Sequence, residues 1–194
     1  MNWLDHFRDV RRQTEALVAR LEPEDTGLQV MMEASPPKWH LGHTTWFFET
    51  FLLGKVPGYE VFHPKYSFVF NSYYEEVGPR QARAKRGDLS RPLLREVLAY
   101  RDHVDQAVIE AMSNPALYEQ LADVLALGCN HEQQHQELIL TDVLANFSRN
   151  VLGPAYTDAA PPPSAPAAEL SWRLYAGGLV PIGFDGASLS ADDF

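Results

Sequence analysis

The feature that most constrains the fold is a run of roughly 30 residues that keeps the spacing of an amphipathic helix. The run is "ALYEQLADVLALGCNHEQQHQELILTDVLANF", and Asn114 and Pro115 provide a helix-start signal directly before it. Gly128 lies near its middle and is expected to loosen the helix there. Any fold of this chain must accommodate that helix.

Three earlier segments share the helical spacing of apolar residues. They run from Trp3 to Leu21, from Ser35 to Gly54 and from Ser90 to Met112. Ser35 and Ser90 are the expected N-caps, with Pro36 and Pro92 in the first turn of their helices. Almost no alternating strand pattern occurs before residue 150. The sequence therefore predicts an all-α four-helix bundle over residues 1–154.

The composition changes after this predicted bundle. Residues 155–170 include "YTDAAPPPSAPAAEL", which is typical of a Pro/Ala-rich linker. Residues 171–194 are Gly-rich with short apolar stretches, which predicts strands and turns. They are too few to bury a core, so the chain is expected to stop just inside a second domain.

The charge and composition exclude several classes of protein. The formal net charge of -10 argues against a nucleic-acid partner, because phosphate binding needs a basic face. No apolar run is long enough to span a bilayer, and no secretory signal opens the chain. The single cysteine, Cys129, rules out an intrachain disulfide and is expected to be a small buried residue. A cytoplasmic protein without a membrane partner is the expectation.

His131 and His135 have the i, i+4 spacing that suits two imidazoles binding one metal ion. On a helix their Cβ atoms lie about 6 Å apart on one face. The same stripe carries Leu127 and Leu138, so it is expected to face the core. Buried imidazoles need a metal or hydrogen bonds. A metal pair and two hydrogen-bonded core histidines are both compatible with this spacing.

The second helix offers a third ligand. His43 lies on a stripe with Trp39, Trp46 and Phe47, which are expected core residues, so His43 is predicted to point inward. His40 has less apolar neighbours and is expected beside the site or at the surface. Three neutral imidazoles leave coordination positions open and suit zinc, iron, nickel or copper.

"HEQQH" also matches the H-E-x-x-H signature of zinc peptidases, in which Glu132 would be the general base. Neither Gly nor His follows where the extended peptidase motif requires it. Asp142 lies seven residues after His135, about 10 Å along the axis, so it cannot share that ion and is expected to bond another helix. The peptidase interpretation is therefore weak.

Five motifs occur in order along the chain: "SPPKWHLGHTTWFFE", "FNSYYEEVG", "RAKRGDLSRP", "EVLAYRDHVD" and "HEQQHQELILTD". Together they resemble the N-terminal domain of the ergothioneine-biosynthesis sulfoxide synthases. These are non-haem iron enzymes related to the ovothiol and selenoneine synthases. The resemblance covers nearly all of residues 1–155, and "LYAGGLVPIGFD" resembles the opening of that family's second domain, of the formylglycine-generating-enzyme type.

The resemblance implies a DinB-like four-helix bundle that holds iron(II) through His43, His131 and His135. It also implies oxidative carbon–sulfur bond formation, in which dioxygen is activated at the iron. The thiol of cysteine or γ-glutamylcysteine is joined to the imidazole of hercynine, giving a sulfoxide.

The resemblance further implies substrate-binding residues. Gln134, about 60° from His131 around the helix, is expected to contact the substrate imidazole. Arg83 and Arg86 are expected to bind the carboxylates of the thiol substrate, which suits guanidinium groups, although a solvated basic loop is the alternative. Glu132 and Glu137 could instead orient the ligating histidines.

The family's catalytic tyrosine belongs to its second domain. The chain is therefore expected to bind metal but to turn over poorly alone, as a fragment or as half of an enzyme that a separate chain completes. Two other classes stay open. One is a DinB-type thiol transferase that uses zinc or nickel, and the other is a non-catalytic metal-binding or partner-binding bundle.

Overall fold

The computed structural model describes residues 2–72, 78–159, 168–180 and 182. Regular structure in these residues is entirely helical, with no β-strand. The α-helices are α1 (Trp3–Val18), α2 (Pro37–Phe51), α3 (Tyr66–Phe70), α4 (Leu94–Met112) and α5 (Pro115–Ser148). Short 3-10 segments follow the same order at Asp25–Gly27, Leu53–Lys55 and Arg83–Asp88.

The four long helices form a bundle in which α5 packs against α1, α2 and α4, and α2 also packs against α4. They belong to one compact unit, Asn2–Thr157. Its core is made of fully buried side chains from every long helix, among them Phe7, Trp46, Tyr100, Leu125 and Ile139. The predicted all-α bundle is confirmed.

Helix α5 begins as its sequence predicts but is not loosened at Gly128. The Asn114 side chain accepts a hydrogen bond from the Ala116 backbone N–H, and Pro115 occupies the first helical position. The helix continues unbroken for 34 residues. A Cβ added at Gly128 would lie 2.3 Å from Cε1 of Phe48, so the glycine permits a close approach between α5 and α2. The expectation that Leu127 faces the core is wrong, because it is 59% exposed.

Other helix ends differ from the prediction by one to a few residues. Helix α2 begins after Pro36, because Ser35 does not cap it. The Ser35 backbone N–H donates to Asp142, and its hydroxyl accepts from Arg86. Helix α4 begins after Leu93, whose N–H donates to the Glu96 side chain, rather than after Ser90. Helix α1 ends at Val18, before Leu21.

The described residues after Thr157 group as a separate unit. Residues 171–180, where the sequence predicts strands, contain no strand and are exposed. Residues 160–167, 181 and 183–194 lie outside the described residues, as do residues 73–77 within the "FNSYYEEVG" motif. The assignments of 155–170 as a linker and of 171–194 as the start of a second domain therefore stay predictions.

No helix in the described part of the chain combines the length and the apolar character that crossing a bilayer requires.

Candidate metal centre

Helices α2 and α5 bring three histidines together inside the bundle. His43 lies on α2, and His131 and His135 lie one turn apart on α5. Each offers one ligand nitrogen, and these nitrogens all lie within 4.8 Å of one another. Nε2 of His43 is 3.2 Å from Nε2 of His131. This is the proximity that a shared metal ion requires.

Burial keeps these imidazoles in the form that binds metal. It lowers the pKa of His131 to about 4, although the nearby Glu132 carboxylate opposes the change. Burial and then the neighbouring His131 hold the pKa of His43 well below its ordinary value. The pKa of His135 is lowered by burial and by the imidazoles around it. All three side chains are therefore neutral near pH 7 and have lone pairs for a cation.

The orientation of His43 is fixed by its surroundings. Its Nδ1 lies 2.6 Å from the Phe70 carbonyl oxygen, which can only accept, so Nδ1–H donates and Nε2 remains as the ligand nitrogen. The ring stacks on Trp39 at 4.5 Å and on Trp46 at 5.6 Å between ring centroids. These two tryptophans and Phe47 are buried, as the sequence predicts.

His40 is not a surface residue. Its side chain is buried, with Nδ1 2.7 Å from Nδ1 of His135 and Nε2 2.9 Å from Oδ2 of Asp142. The contact with His40 on α2 confirms that Asp142 bonds another helix, and Asp142 also accepts a hydrogen bond from the Ser35 backbone N–H just before α2. The i, i+3 spacing of His40 and His43 on α2 is the sequence signal that both face the same side.

The donor set fits a bound transition metal. Three neutral imidazoles suit iron(II), zinc, nickel or copper, and this set alone does not choose between them. Nδ1 of His131 is buried and has no hydrogen-bond partner among the described residues. A buried polar atom without a partner is a common sign of a bound ion or water nearby, so it is consistent with an ion at this centre.

A cavity of about 470 Å³ opens beside the three histidines. The aromatic ring of Trp39 and the side chains of Ser35 and Leu138 form part of its wall. All six site residues predicted from the sequence line it, namely His43, His131, His135, Gln134, Arg83 and Arg86.

The same part of the chain matches a known family. The profile of the DinB superfamily covers residues 6–139, which is more than half of the chain and includes all three histidines. The chain belongs to the DinB superfamily. No curated protein matches the sequence.

The two arginines of this DinB domain are held differently. Arg86 is buried, with its guanidinium carbon 3.4 Å from the centroid of the Trp39 ring, and it donates to the hydroxyls of Ser35 and Ser72. Arg83 is exposed at the cavity wall. A second cavity of about 710 Å³ is lined by both arginines and by Arg80. The alternative of a solvated basic loop therefore does not describe Arg86.

Glu132 does not serve the metal centre of the DinB domain. It is fully buried and accepts from Arg11 at 2.6 Å and from Arg101 at 2.9 Å. Burial alone would raise the pKa of Glu132, but Arg101 and Arg11 together lower it to about 2. The peptidase interpretation is wrong, because this carboxylate is bound between two guanidinium groups. Its expected role in orienting the histidines is wrong for the same reason, and Glu137 is exposed.

Cys129 is a core residue of the DinB domain, as expected. Its side chain is completely buried, and burial raises the pKa of its thiol to about 12. A thiol with so high a pKa is almost entirely protonated at neutral pH and does not act as a nucleophile.

Proposed function

We propose that this DinB domain binds one iron(II) ion through His43, His131 and His135 and presents a thiol and an imidazole substrate to it. The proposed reaction is that of the oxygen-dependent sulfoxide synthases, in which the thiol of cysteine or γ-glutamylcysteine is joined to hercynine. One observation carries the proposal: the three histidines, Gln134, Arg83 and Arg86 line a single cavity.

Gln134 supports an imidazole-binding role in this cavity. Its side chain is exposed at the cavity wall and lies on α5 between the two ligating histidines in sequence. A carboxamide can both donate and accept a hydrogen bond, so it matches either tautomer of a substrate imidazole. The substrate ring would thereby be held next to the ion rather than on a remote surface.

The arginines support a carboxylate-binding role. Stacking on Trp39 and two hydrogen bonds to serine hydroxyls fix the guanidinium of Arg86 in place. Arg83 has its charge at the cavity wall, where a ligand can reach it. A bound ion and the guanidinium groups of Arg83 and Arg86 would supply positive charge at this cavity, in a chain of net charge -10. That local charge favours small thiols that carry carboxylates.

Bound iron would supply the activation of dioxygen. The residues of the cavity bind and orient the substrates, and the Phe70 carbonyl keeps the His43 ring in one orientation. We assign no catalytic acid or base to Glu132 or Cys129, because both are buried outside the cavity.

A DinB-type metal-dependent thiol transferase is the second candidate. The superfamily match favours it, because that match ends at residue 139 and concerns the bundle alone. Zinc or nickel would then occupy the same histidines, and the arginines would bind the carboxylates of a low-molecular-weight thiol. Oxygen consumption after addition of a second-domain polypeptide distinguishes the two candidates, since the transferase needs no oxidant.

The deciding experiment is an anaerobic titration of the metal-free chain with iron(II), with zinc as competitor. We expect one iron per chain, loss of binding in His43→Ala and in His131→Ala, and unchanged binding in His103→Ala, which alters an exposed histidine. Circular dichroism checks that each variant is folded. Iron binding that persists without His43 would refute the three-histidine centre. Tight zinc binding with no iron binding would favour the transferase.

A further inference from the structure

His40 and Asp142 form a buried chain of polar contacts behind His135. His40 is 2% exposed and Asp142 is 5% exposed. Oδ2 of Asp142 lies 2.9 Å from Nε2 of His40, and Nδ1 of His40 lies 2.7 Å from Nδ1 of His135. These contacts therefore link Asp142 on α5, through His40 on α2, to the candidate ligand His135 on α5.

The direction of each hydrogen bond follows from its carboxylate end. An ionised carboxylate only accepts, and Oδ2 of Asp142 already accepts from the Ser35 backbone N–H at 2.8 Å. The contact with His40 therefore requires the proton on Nε2 of His40. Neutral His40 then has a lone pair on Nδ1, which must accept from Nδ1–H of His135. Neutral His135 is left with its lone pair on Nε2.

We propose that His40 and Asp142 are positioning residues that fix His135 in the tautomer with Nε2 free for a metal ion. This inference rests on the three-histidine centre proposed above. Neither residue ligates the ion. The Phe70 carbonyl does the same for His43 by accepting from its Nδ1–H. Two of the three candidate ligands thus have their tautomer set by a neighbouring acceptor, as second partners of metal-binding histidines commonly do.

The opposite proton arrangement is disfavoured by the same distances. With the proton on Nδ1 of His40, its Nε2 lone pair would face the carboxylate oxygen at 2.9 Å with no hydrogen between them. Two acceptors at that separation repel each other. Nδ1 of His135 would then accept, its proton would move to Nε2, and the ligand position would be blocked.

Substitutions at His40 test this series of hydrogen bonds directly. His40→Phe keeps a ring but removes the acceptor. His40→Gln retains an acceptor and a donor joined through one carbon, as Nδ1 and Nε2 are in imidazole. A second pair at the other end compares Asp142→Leu, which has no acceptor, with Asp142→Asn, which keeps one oxygen for Ser35 and His40. Asp105→Ala is the matched control. Asp105 is a largely buried carboxylate bonded to Arg11, and it does not take part in the contacts of His40 and Asp142 with His135.

The readout is cobalt(II) binding to the metal-free full chain, followed by visible absorption, with thermal unfolding measured in parallel. We expect His40→Phe and Asp142→Leu to weaken cobalt(II) binding by about 10- to 100-fold and to change the ligand-field bands. His40→Gln and Asp142→Asn should bind cobalt(II) with an affinity within a few-fold of the parent and should show the parent's absorption spectrum. Asp105→Ala should lower the unfolding temperature and leave the cobalt(II) spectrum unchanged.

The outcomes separate this inference from the metal centre itself. If the parent chain binds no cobalt(II), the three-histidine centre fails and the inference fails with it. If the parent binds but His40→Phe and Asp142→Leu bind equally well with the same spectrum, only the positioning role is refuted. Equal loss of affinity in His40→Phe and His40→Gln, in proportion to their loss of stability, also refutes it. Where His40→Phe does not fold, the Asp142 pair decides.

Discussion

Arg83 and Arg86 are three residues apart and differ in what a substitution at each would report. Arg86 is buried against Trp39 and bonded to Ser35 and Ser72, so replacing it disturbs packing as well as any ligand. Arg83 is exposed beside the same cavity. Its replacement changes charge with little change in packing, so Arg83 gives the clearer test of carboxylate binding.

We predict that Arg83→Gln weakens binding of γ-glutamylcysteine to the iron-loaded chain by about 10- to 100-fold. The physical reason is the loss of one charge-assisted hydrogen bond, which contributes roughly 1.5–3 kcal/mol. Calorimetry under anaerobic conditions measures the change. Arg95→Gln is the control, because it removes an equal charge from an exposed position that does not line the cavity. Equal affinities in the two variants would exclude a carboxylate contact at Arg83.

We predict that Cys129 does not react with a thiol reagent in the native protein at neutral pH. Its side chain is completely buried and its pKa is about 12, so neither access nor thiolate is available. A colorimetric disulfide reagent should label it only as fast as the chain unfolds. In denaturant the same reagent should report one thiol per chain, because the sequence has one cysteine. Rapid stoichiometric labelling in native buffer would contradict the prediction.

The sequence predicts residues whose neighbours lie on the same helix better than residues whose neighbours do not. His43, His131 and His135 could be selected because each shares a stripe with apolar or imidazole side chains three or four residues away. The same rule places His40 on the side of His43, three residues away, but its contacts with Asp142 and His135 on α5 leave no local pattern. The role of Glu132 could not be predicted from its own helix either, because the guanidinium groups that bind it come from α1 and α4.

At the scale of helices, α5 depends on Gly128 for its contact with α2. A Cβ at this position would lie 2.3 Å from Cε1 of Phe48, and the Phe48 ring is itself buried against Phe7. The ring therefore cannot move aside without disturbing the core. Glycine costs up to about 1 kcal/mol of helix propensity relative to alanine, but it allows the two helices to approach closely.

We predict that Gly128→Ala lowers the free energy of unfolding by about 1–2 kcal/mol. Overpacking a core typically costs about 1–3 kcal/mol, and an approach of 2.3 Å to a packed ring puts the cost at the upper end of that range, about 1–2 kcal/mol above the gain in helix propensity. Urea unfolding measures the change. The double variant Gly128→Ala with Phe48→Leu should destabilise by less than the sum of its single changes, because the smaller side chain makes room. Gly27→Ala is the control, since a Cβ there meets nothing within 4 Å. A Gly128→Ala protein more stable than the parent would refute the packing argument.

Helix ends were predictable only where the capping side chain has no other partner. Asn114 caps α5 as its sequence predicts, because its side chain accepts from the first turn of that helix. Ser35 fits the same rule but instead accepts from Arg86, 51 residues along the chain. Such a long-range contact leaves no local pattern, so the start of α2 was misplaced while the existence of the helix was not.

At the scale of the whole molecule, a buried ionic network joins the long helices. Glu132 on α5 binds Arg11 on α1 and Arg101 on α4, and Arg11 also reaches Asp105 on α4 and Thr45 on α2. The two arginines and Glu132 are 2% exposed or less. The helical periodicity predicts the bundle, but the network fixes which helices surround Glu132.

We predict that Glu132→Ala lowers the free energy of unfolding by about 3–5 kcal/mol. Removing Glu132 leaves two buried guanidinium groups with only Asp105 and the partly exposed Glu15 as acidic partners in the described part of the chain, which is more costly than losing the attraction alone. Urea unfolding monitored by circular dichroism gives the value. Glu137→Ala, at an exposed position of the same helix, should change it by less than about 0.5 kcal/mol. Similar effects from the two substitutions would show that the network does not stabilise the fold.

We also predict an acid-dependent loss of stability that Glu132 controls. Its pKa is about 2 in the folded chain and has an ordinary value of 4.5, so below pH 4.5 the unfolded chain binds a proton that the native chain does not. The contribution of Glu132 is therefore complete above pH 4.5 and is lost as the pH falls towards 2. It amounts to roughly 3 kcal/mol. The stability difference between the parent and Glu132→Gln should shrink over this range. A difference independent of pH would contradict the prediction.

The network also has an evolutionary consequence. Arg11, Arg101 and Glu132 come from three different helices, and changing any one of them to an apolar residue leaves a buried charge with fewer partners. Relatives of this chain should therefore either retain all three or have replaced them jointly with apolar side chains of similar volume. Intermediate combinations should be rare. In an alignment these three positions would covary, although none of them touches the proposed substrates.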